Sequence, residues 1–501
     1  MVRNTLSSGG SRVVNALLAI ALTPFLLRRL GQDEYGLWLL ATTLTFTSGY
    51  LNLAELGMQQ AAVRLVAEAR QRGDRQAASE VVSTTVAVFG GLGLVLGIAL
   101  TALAGLLAQV FSVPSSLEHM AMLTFAVVGV QIAVDLPTAG ILAFWEGSQR
   151  FGVSRGIDVG TRLAWAALTV VVVRAGHGVL AVAVVSLAAA VLGFLVNLAF
   201  LCVQGEVSLG PRSVSRAAAR QLTGHGAPML VLRILGVTYT QMDRAIVGIA
   251  LSTVAVARYE VAYKLHATAA LALGVAPSAV LPAAAYLRQE AGPDRLRRLF
   301  LRGTKYAIAF GLPVAVAGMI YSRPLIVTWV GSGFADLADE ARLFLLFPAF
   351  TIGIVVGQAM LTGIGRMREL LTYHVVAVLL NLGVSIVLVD DLGIAGVIWG
   401  TVAGSIVLLV PFHRLFFRSF DLRPAEWVRQ VVMPNVPGLA AQLIFGWATL
   451  SFANRSGQLW TVALVFLVDV AVSLGVFVFV GMSAEERSSF TGALRRGKAG
   501  A

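Results

Sequence analysis

The feature that most constrains this chain is a series of apolar stretches, each long enough to cross a lipid bilayer. A spanning helix needs roughly 20 mostly apolar residues, and about fourteen segments meet that requirement. Hydrophobic residues make up 57% of the 501 residues and charged residues only 13%, whereas soluble domains carry about 25% charged residues. Water cannot solvate so much apolar surface, so we predict an all-α integral membrane protein. The predicted spans are 9–28, 35–58, 81–107, 119–143, 157–174, 178–202, 227–251, 255–285, 304–330, 343–363, 370–389, 393–413, 431–452 and 459–481.

The distribution of basic residues predicts the orientation in the membrane. Most of the 38 Lys and Arg residues lie at the two ends of the chain and in the segments that follow even-numbered spans. Because basic residues favour the cytoplasmic side, we expect a multi-pass protein of the cytoplasmic (inner) membrane with both termini in the cytoplasm. The net charge of +12 is scattered over short loops, so nucleic acid is not an expected partner.

Short matching segments indicate an internal repeat. Gly-Asp-Arg at 73–75 corresponds to Pro-Asp-Arg at 293–295, and 147–150 corresponds to 363–366, in the same order and at nearly the same separation. Six spans per half place both halves in the same orientation, which predicts a parallel repeat and a cavity between two lobes that rock against each other. The predicted divisions are an N-terminal lobe at 1–205, a C-terminal lobe at 220–418, two further helices at 428–482 and a cytoplasmic tail at 483–501.

Three longer segments carry a family resemblance. They are LLRRLGQDEYGLW at 26–38, TQMDRAIVGIALSTVAVARYEVAYKL at 240–265 and LGIAGVIWGTVAG at 392–404. With the plan of six, six and two helices, they make the chain resemble the lipid-linked oligosaccharide flippases of O-antigen and polysaccharide export, which share a superfamily with the multidrug and toxin extrusion carriers. The resemblance implies transport of a polyprenyl-diphosphate-linked oligosaccharide by alternating access. It also implies a polysaccharide polymerase or assembly proteins as partners.

Basic side chains within the predicted spans are candidates for a cationic central cavity that neutralises a diphosphate. A charge at the bilayer centre costs about 2.5–3.5 kcal/mol, so such residues are expected to face water or a partner. Arginine suits a diphosphate because its planar fork binds phosphate oxygens in pairs and keeps its charge. The candidates are Arg12, Arg162, Arg233, Arg244 and Lys264.

A second interpretation is that these charges form structural pairs. Asp158 and Arg162 are four residues apart, as are Glu260 and Lys264, which is a favourable helical spacing. Acidic or titratable residues inside the spans could instead couple transport to H⁺ or Na⁺. Asp469 fits either a groove for lipid headgroups or a contact with another helix. The coupling candidates are Asp135, Asp158, Asp243, Glu260 and His266.

Other functions remain as alternatives. No Gly-x4-Gly-Lys-Ser/Thr loop occurs, so energy should come from an ion gradient, the membrane potential or the substrate gradient. An ion-coupled multidrug or metabolite extruder would call for carboxylates in the first and seventh spans, and the first has none. A membrane glycosyltransferase or polymerase would need a large outer loop, whereas Asp390 and Asp391 lie in a short turn. We therefore expect a transporter rather than an enzyme, with no catalytic residue, metal site or cofactor.

Overall fold

The computed structural model of the protein describes residues 2–45, 57–224, 227–273, 275–290 and 293–488. These residues form eighteen α-helices joined by short turns, and they contain no β-strand. The predicted all-α class is confirmed. The chain folds into two compact units, Met1–Tyr259 and Glu260–Ala501.

The first unit contains nine complete helices and the beginning of a tenth. The helices are α1 (Val2–Thr43), α2 (Met58–Gln71), α3 (Arg75–Ala102), α4 (Ala104–Val110), α5 (Glu118–Gly147), α6 (Phe151–Arg174), α7 (Val179–Gln204), α8 (Arg216–Gly224), α9 (Ala227–Ala250) and α10 (Thr253–Leu273).

The second unit contains the rest of α10 and eight further helices within the described residues. These are α11 (Val275–Glu290), α12 (Pro293–Trp329), α13 (Ala338–Gly363), α14 (Met367–Leu392), α15 (Ile394–Ser419), α16 (Pro424–Trp427), α17 (Val436–Arg455) and α18 (Leu459–Val476).

Ten helical segments in the described part of the chain are long and apolar enough to cross a membrane. The protein is therefore a multi-pass membrane protein. The other four predicted spans fall on α1, which the prediction divides in two, on α9, and on α10 and α11 together. Residues 46–56 of the second predicted span lie outside the described residues. The count of fourteen, the lobe boundaries and the parallel repeat stay predictions.

Helix α1 is interrupted at Gly31, which explains why one helical stretch covers two predicted spans. Gly31 has a φ of 81° within a helix of 42 residues. Only glycine reaches this backbone region without steric cost, so the chain changes direction here between two helical segments.

The segment after Gly31 connects α1 to two other helices. The Oγ1 of Thr253 donates to Oδ1 of Asp33 at 3.1 Å, and a Cβ at Gly36 would overlap the carbonyl oxygen of Thr253. The backbone N–H of Val179 donates to Oε2 of Glu34 at 2.8 Å, which caps the start of α7. Two of the segments that carry the family resemblance, 26–38 and 240–265, thus contact each other beside Gly31.

A chain of buried polar contacts joins the C-terminal helices to α12. The amide of Gln442 on α17 donates to the carbonyl oxygen of Pro313 at 2.8 Å and to Oδ2 of Asp469 at 2.8 Å. Lys305, near the start of α12, forms an ion pair with Glu486 at 2.8 Å. Asp469 is fully buried and contacts α17. Of the two roles considered for it, the structure shows the contact with another helix rather than a groove for lipid headgroups.

An ionic cluster connects the ends of several helices in the first unit. Glu206, just after α7, is 2.5 Å from Nη1 of Arg70 on α2 and 2.6 Å from Nη2 of Arg150 before α6. The hydrogen bond from Arg70, together with Arg150, holds the pKa of the Glu206 carboxyl below its ordinary value despite partial burial.

We predict that Gln442→Leu destabilises the protein more than the double variant Gln442→Leu/Asp469→Leu. The single change leaves a buried carboxylate without this donor, at a cost of about 1–3 kcal/mol, whereas replacing both partners with apolar groups is nearly neutral. Melting temperatures of the detergent-solubilised protein test this. Equal melting temperatures of the single and double variants would contradict it.

We predict that Glu206 stabilises the protein at neutral pH and loses this effect in acid. Because the folded pKa is depressed, the stabilisation is present above the ordinary pKa of about 4.5 and disappears as pH falls through the lower folded pKa. The difference in melting temperature between the wild type and Glu206→Gln should be small, because the pair is partly solvated, and should vanish at strongly acidic pH. A difference independent of pH would exclude the ionic contribution.

Candidate functional site

A polar cleft of about 530 Å³ lies in the first unit among α1, α2, α5, α6 and α7. Its walls combine charged, amide and hydroxyl side chains with two indole rings, although these helices are mostly apolar. The polar and aromatic lining residues are Trp38, Thr42, Thr45, Gln59, Gln131, Asp135, Thr138, Ser154, Arg155, Asp158, Thr161, Arg162, Trp165, Ser186 and Asn197.

Helix α6 supplies a continuous polar face to this cleft. Asp158, Arg162 and Trp165 recur at intervals of four and three residues, which places them on one side of a helix. Arg162 lies about 16.5 Å from the start of α6 at 1.5 Å per residue, near the middle of this helix of 24 residues. The cleft therefore carries a guanidinium to the middle of α6.

The arginines of the cleft have carboxylate neighbours. Nε of Arg162 donates to Oδ1 of Asp158 at 2.9 Å, and their side chains are 41% and 32% exposed. Nη2 of Arg155 lies 3.5 Å from Oε1 of Glu146. Arginines and carboxylates are thus present in similar number, and the Arg162 pair is accessible rather than sealed.

Helix α5 contributes a second polar pair. Nε2 of Gln131 donates to Oδ2 of Asp135 at 3.2 Å. Gln131 is 8% exposed, and its carbonyl Oε1 is buried without a hydrogen-bond partner among the described residues. The same holds for Nε of Arg155 and Nε1 of Trp165. Atoms of this kind also occur elsewhere in the described residues, and three of them belong to residues of this cleft.

Two indole rings form part of the same wall. The rings of Trp38 on α1 and Trp165 on α6 are stacked, with centroids 6.4 Å apart and planes inclined by 22°. Trp38 is 6% exposed, whereas Trp165 is half-buried. Trp38 thus supports the ring of Trp165 from within the protein.

The structure brings three of the predicted site residues together. Asp135, Asp158 and Arg162 all line the cleft. Arg12 and Arg233 were predicted as cavity residues too, but their side chains lie outside the described residues.

Two further candidates, Asp243 and Arg244, lie elsewhere in the first unit, on α9. Asp243 is 4% exposed and accepts a hydrogen bond from the hydroxyl of Tyr259 at 3.0 Å. Nη1 of Arg244 lies 3.3 Å from Oε1 of Gln241, to which it donates. Neither residue lines the cleft, and their roles stay predictions.

The remaining candidates belong to the second unit, on α10. Nζ of Lys264 is 3.5 Å from Oε1 of Glu260, and both side chains are largely buried. Nδ1 of His266 lies 3.1 Å from the carbonyl oxygen of Phe344, and the two rings are 4.7 Å apart. The first contact lies within α10 and the second joins α10 to α13, and the cavity and coupling roles of these residues stay predictions.

Arg155, Trp38 and Trp165 line the cleft but were not among the site residues predicted from the sequence. The predicted span began at 157, so Arg155 was assigned to a loop, whereas α6 begins at Phe151. With the observed start, the spacing of Arg155 and Arg162 would have placed both on one helix face. The contact between the indole rings joins distant segments and has no signal in the local sequence.

Comparison with known proteins identifies the family. The polysaccharide biosynthesis protein family matches residues 25–339, which is more than half of the chain. A probable low-salt glycan biosynthesis flippase of Haloferax volcanii is 22% identical over 339 residues, 67% of each chain.

Two solved structures show the same fold. The lipid II flippase MurJ in an inward closed conformation covers 96% of this chain and 98% of its own, with a TM-score of 0.74 and 13% identity. An inward-facing multidrug resistance transporter of the MATE family covers 82% of this chain and 94% of its own, with a TM-score of 0.66 and 16% identity. The helical fold is thus shared with membrane transporters, and the chain belongs to the polysaccharide biosynthesis protein family.

Proposed function

We propose that this protein is a flippase that moves a polyprenyl-diphosphate-linked oligosaccharide across the cytoplasmic membrane. Its family membership supports a role in polysaccharide biosynthesis, and a relative that covers two thirds of the chain is named as a glycan flippase. The fold of a lipid II flippase extends over nearly the whole chain. A transport role leaves no catalytic step for the protein to perform.

The observation that carries the proposal is the polar cleft that reaches the middle of α6. A sugar headgroup loses its hydration in hydrocarbon, and each unsatisfied polar group there costs several kcal/mol. A cleft lined by hydroxyl, amide and charged groups replaces that hydration while the lipid tail stays in the bilayer.

Arg162 is the side chain in the cleft that fits a diphosphate best. Its guanidinium is 41% exposed and its ion pair with Asp158 lies within the cleft. Because an accessible ion pair is worth about 0–1 kcal/mol, a diphosphate can displace Asp158 and bind the planar fork in a bidentate manner. The exchange of one anion for another avoids leaving the arginine unpaired in the cleft.

The two ends of the first unit differ in a way that suits alternating access. Near Gly31 the helices are joined by the Asp33–Thr253 hydrogen bond and by a bond of 3.0 Å from the Ser112 hydroxyl to the carbonyl of Ile249. The cleft instead extends toward the end where α5 meets α6, at Ser154 and Arg155. With cytoplasmic termini, this end of the cleft faces the cytoplasm. Outward opening would then break the polar contacts near Gly31.

Asp135 is the proposed coupling residue in this cleft. It lies about 18 Å from the end of α5 at 1.5 Å per residue, one helical turn from Gln131, and faces the same cleft as Arg162. A carboxylate at this depth can take up H⁺ or bind Na⁺ as the site changes its access. A polysaccharide polymerase or assembly protein is the partner that would receive the translocated lipid.

An extruder of organic cations is the second candidate function. The MATE likeness in fold and the two carboxylates Asp135 and Asp158 in the cleft favour it, because an organic cation would pair with either of them. The two functions differ in the charge of the cargo, and direct transport assays separate them.

We predict that Arg162→Ala lowers transport of the lipid-linked oligosaccharide by about tenfold or more, because the diphosphate loses its bidentate partner. Arg162→Lys keeps the charge without the fork and should have an intermediate rate. A matched control is Arg342→Ala, since Arg342 is 43% exposed and paired with Asp339 at 2.6 Å outside the cleft. Melting temperatures should be unchanged in all three variants. Equal transport rates for Arg162→Ala and Arg342→Ala would show that Arg162 does not bind the substrate.

We predict that proteoliposomes containing the purified protein translocate a polyprenyl-diphosphate-linked oligosaccharide and do not accumulate a cationic dye. Exposure of the labelled glycan to an enzyme added outside measures the first, and dye fluorescence measures the second. Dye transport without movement of the lipid would establish the extruder instead. An imposed pH or Na⁺ gradient, with Asp135→Asn as the comparison, identifies the coupling ion.

A further inference from the structure

The cleft holds features that a diphosphate does not use. Trp165 presents part of its ring to the cleft, backed by the stacked ring of Trp38 at 6.4 Å. Its Nε1, the Oε1 of Gln131 and the Nε of Arg155 are buried without partners among the described residues. The carbonyl oxygen of Gln131 and the carboxylate of Asp135 accept hydrogen bonds, and an ionised diphosphate has no donor to offer them. These groups therefore suit a neutral ligand rich in hydroxyl groups.

A tryptophan face is well suited to a pyranose ring. The indole face carries partial negative charge, and the axial C–H groups on one face of a sugar carry partial positive charge. A rigid ring loses little conformational entropy on binding. Stacking on Trp38 fixes the orientation of Trp165 before the ligand arrives, which reduces that entropy loss further.

The position of Trp165 relative to Arg162 matches the order of groups in the substrate. The two residues are one turn apart on the same face of α6, about 4.5 Å along the helix axis. A diphosphate bound to Arg162 would thus place the directly attached sugar next to Trp165. Hydroxyl groups of that sugar can donate to Asp135 and Gln131, the pair on α5 that lines the same cleft.

We infer that Trp165, supported by Trp38, is the platform that recognises the sugar ring attached to the diphosphate, with Gln131 and Asp135 accepting its hydroxyl groups. The inference rests on the proposed flippase function and deepens it. The site binds the first sugar as well as the charged diphosphate, so the protein binds a glycosylated lipid more tightly than the bare polyprenyl diphosphate.

The test compares two replacements of similar volume, Trp165→Phe and Trp165→Leu. Affinities of the purified protein are measured for bare polyprenyl diphosphate and for the same lipid carrying one N-acetylglucosamine, glucose or galactose. The wild type should prefer at least one glycosylated lipid. Trp165→Leu should lower the affinity for that lipid about five- to tenfold and leave the affinity for the bare lipid unchanged. Trp165→Phe, which keeps an aromatic face, should lose less affinity for that lipid than Trp165→Leu.

The control is Trp460→Ala, which removes an indole that is 68% exposed on α18 in the second unit and should behave as wild type. An equal loss of affinity for the glycosylated lipid in Trp165→Phe and Trp165→Leu would overturn the proposed role of Trp165. No preference of the wild type for any glycosylated lipid would also overturn it. Binding of the bare lipid would keep the proposed function in either case, whereas failure to bind any of these lipids would contradict the proposed function itself. Melting temperatures confirm that each variant is folded.

Discussion

Hydrocarbon offers a polar side chain no hydrogen-bond partner, and the internal contacts of this protein follow from that constraint. Asn381 on α14 is fully buried; it donates to Thr401 on α15 and accepts from Ser385. Gln442 likewise bridges α12 and α18 through Pro313 and Asp469. Apolar packing alone gives little preference for one helix partner over another in lipid. These polar contacts therefore specify which helices are neighbours.

The polar groups of the cleft differ from those contacts in their exposure. Asp469 is fully buried and held by Gln442, whereas the side chains of Arg162 and Asp158 are 41% and 32% exposed within the cleft. A fully buried contact holds helices together, because breaking it leaves a buried polar group unpaired. A partly exposed ion pair can instead exchange one partner for a ligand that enters the cleft.

The three short segments that carry the resemblance in the sequence contribute little to the cleft, although the family match at residues 25–339 includes it. Asp33 and Glu34 in the first segment hold Thr253 and the start of α7, and only Trp38 of that segment reaches the cleft wall. Residues of two of these segments thus build the contacts beside Gly31. The side chains proposed to meet the cargo lie mainly on α5 and α6.

The amino-acid sequence by itself determined that the protein is helical, lies in a membrane and resembles the polysaccharide flippases, because apolar runs and short motifs are local properties. Asp135, Asp158 and Arg162 could also be predicted as site residues, since a charged residue within an apolar run can be recognised from the sequence alone. Only the tertiary structure decided that these three share one cleft while Asp243 and His266 do not line it. The same is true of Trp165, which is ordinary in the sequence and becomes a candidate platform only because α1 places Trp38 against it. Contacts between distant helices depend on how their faces are turned toward each other, and no local pattern records that.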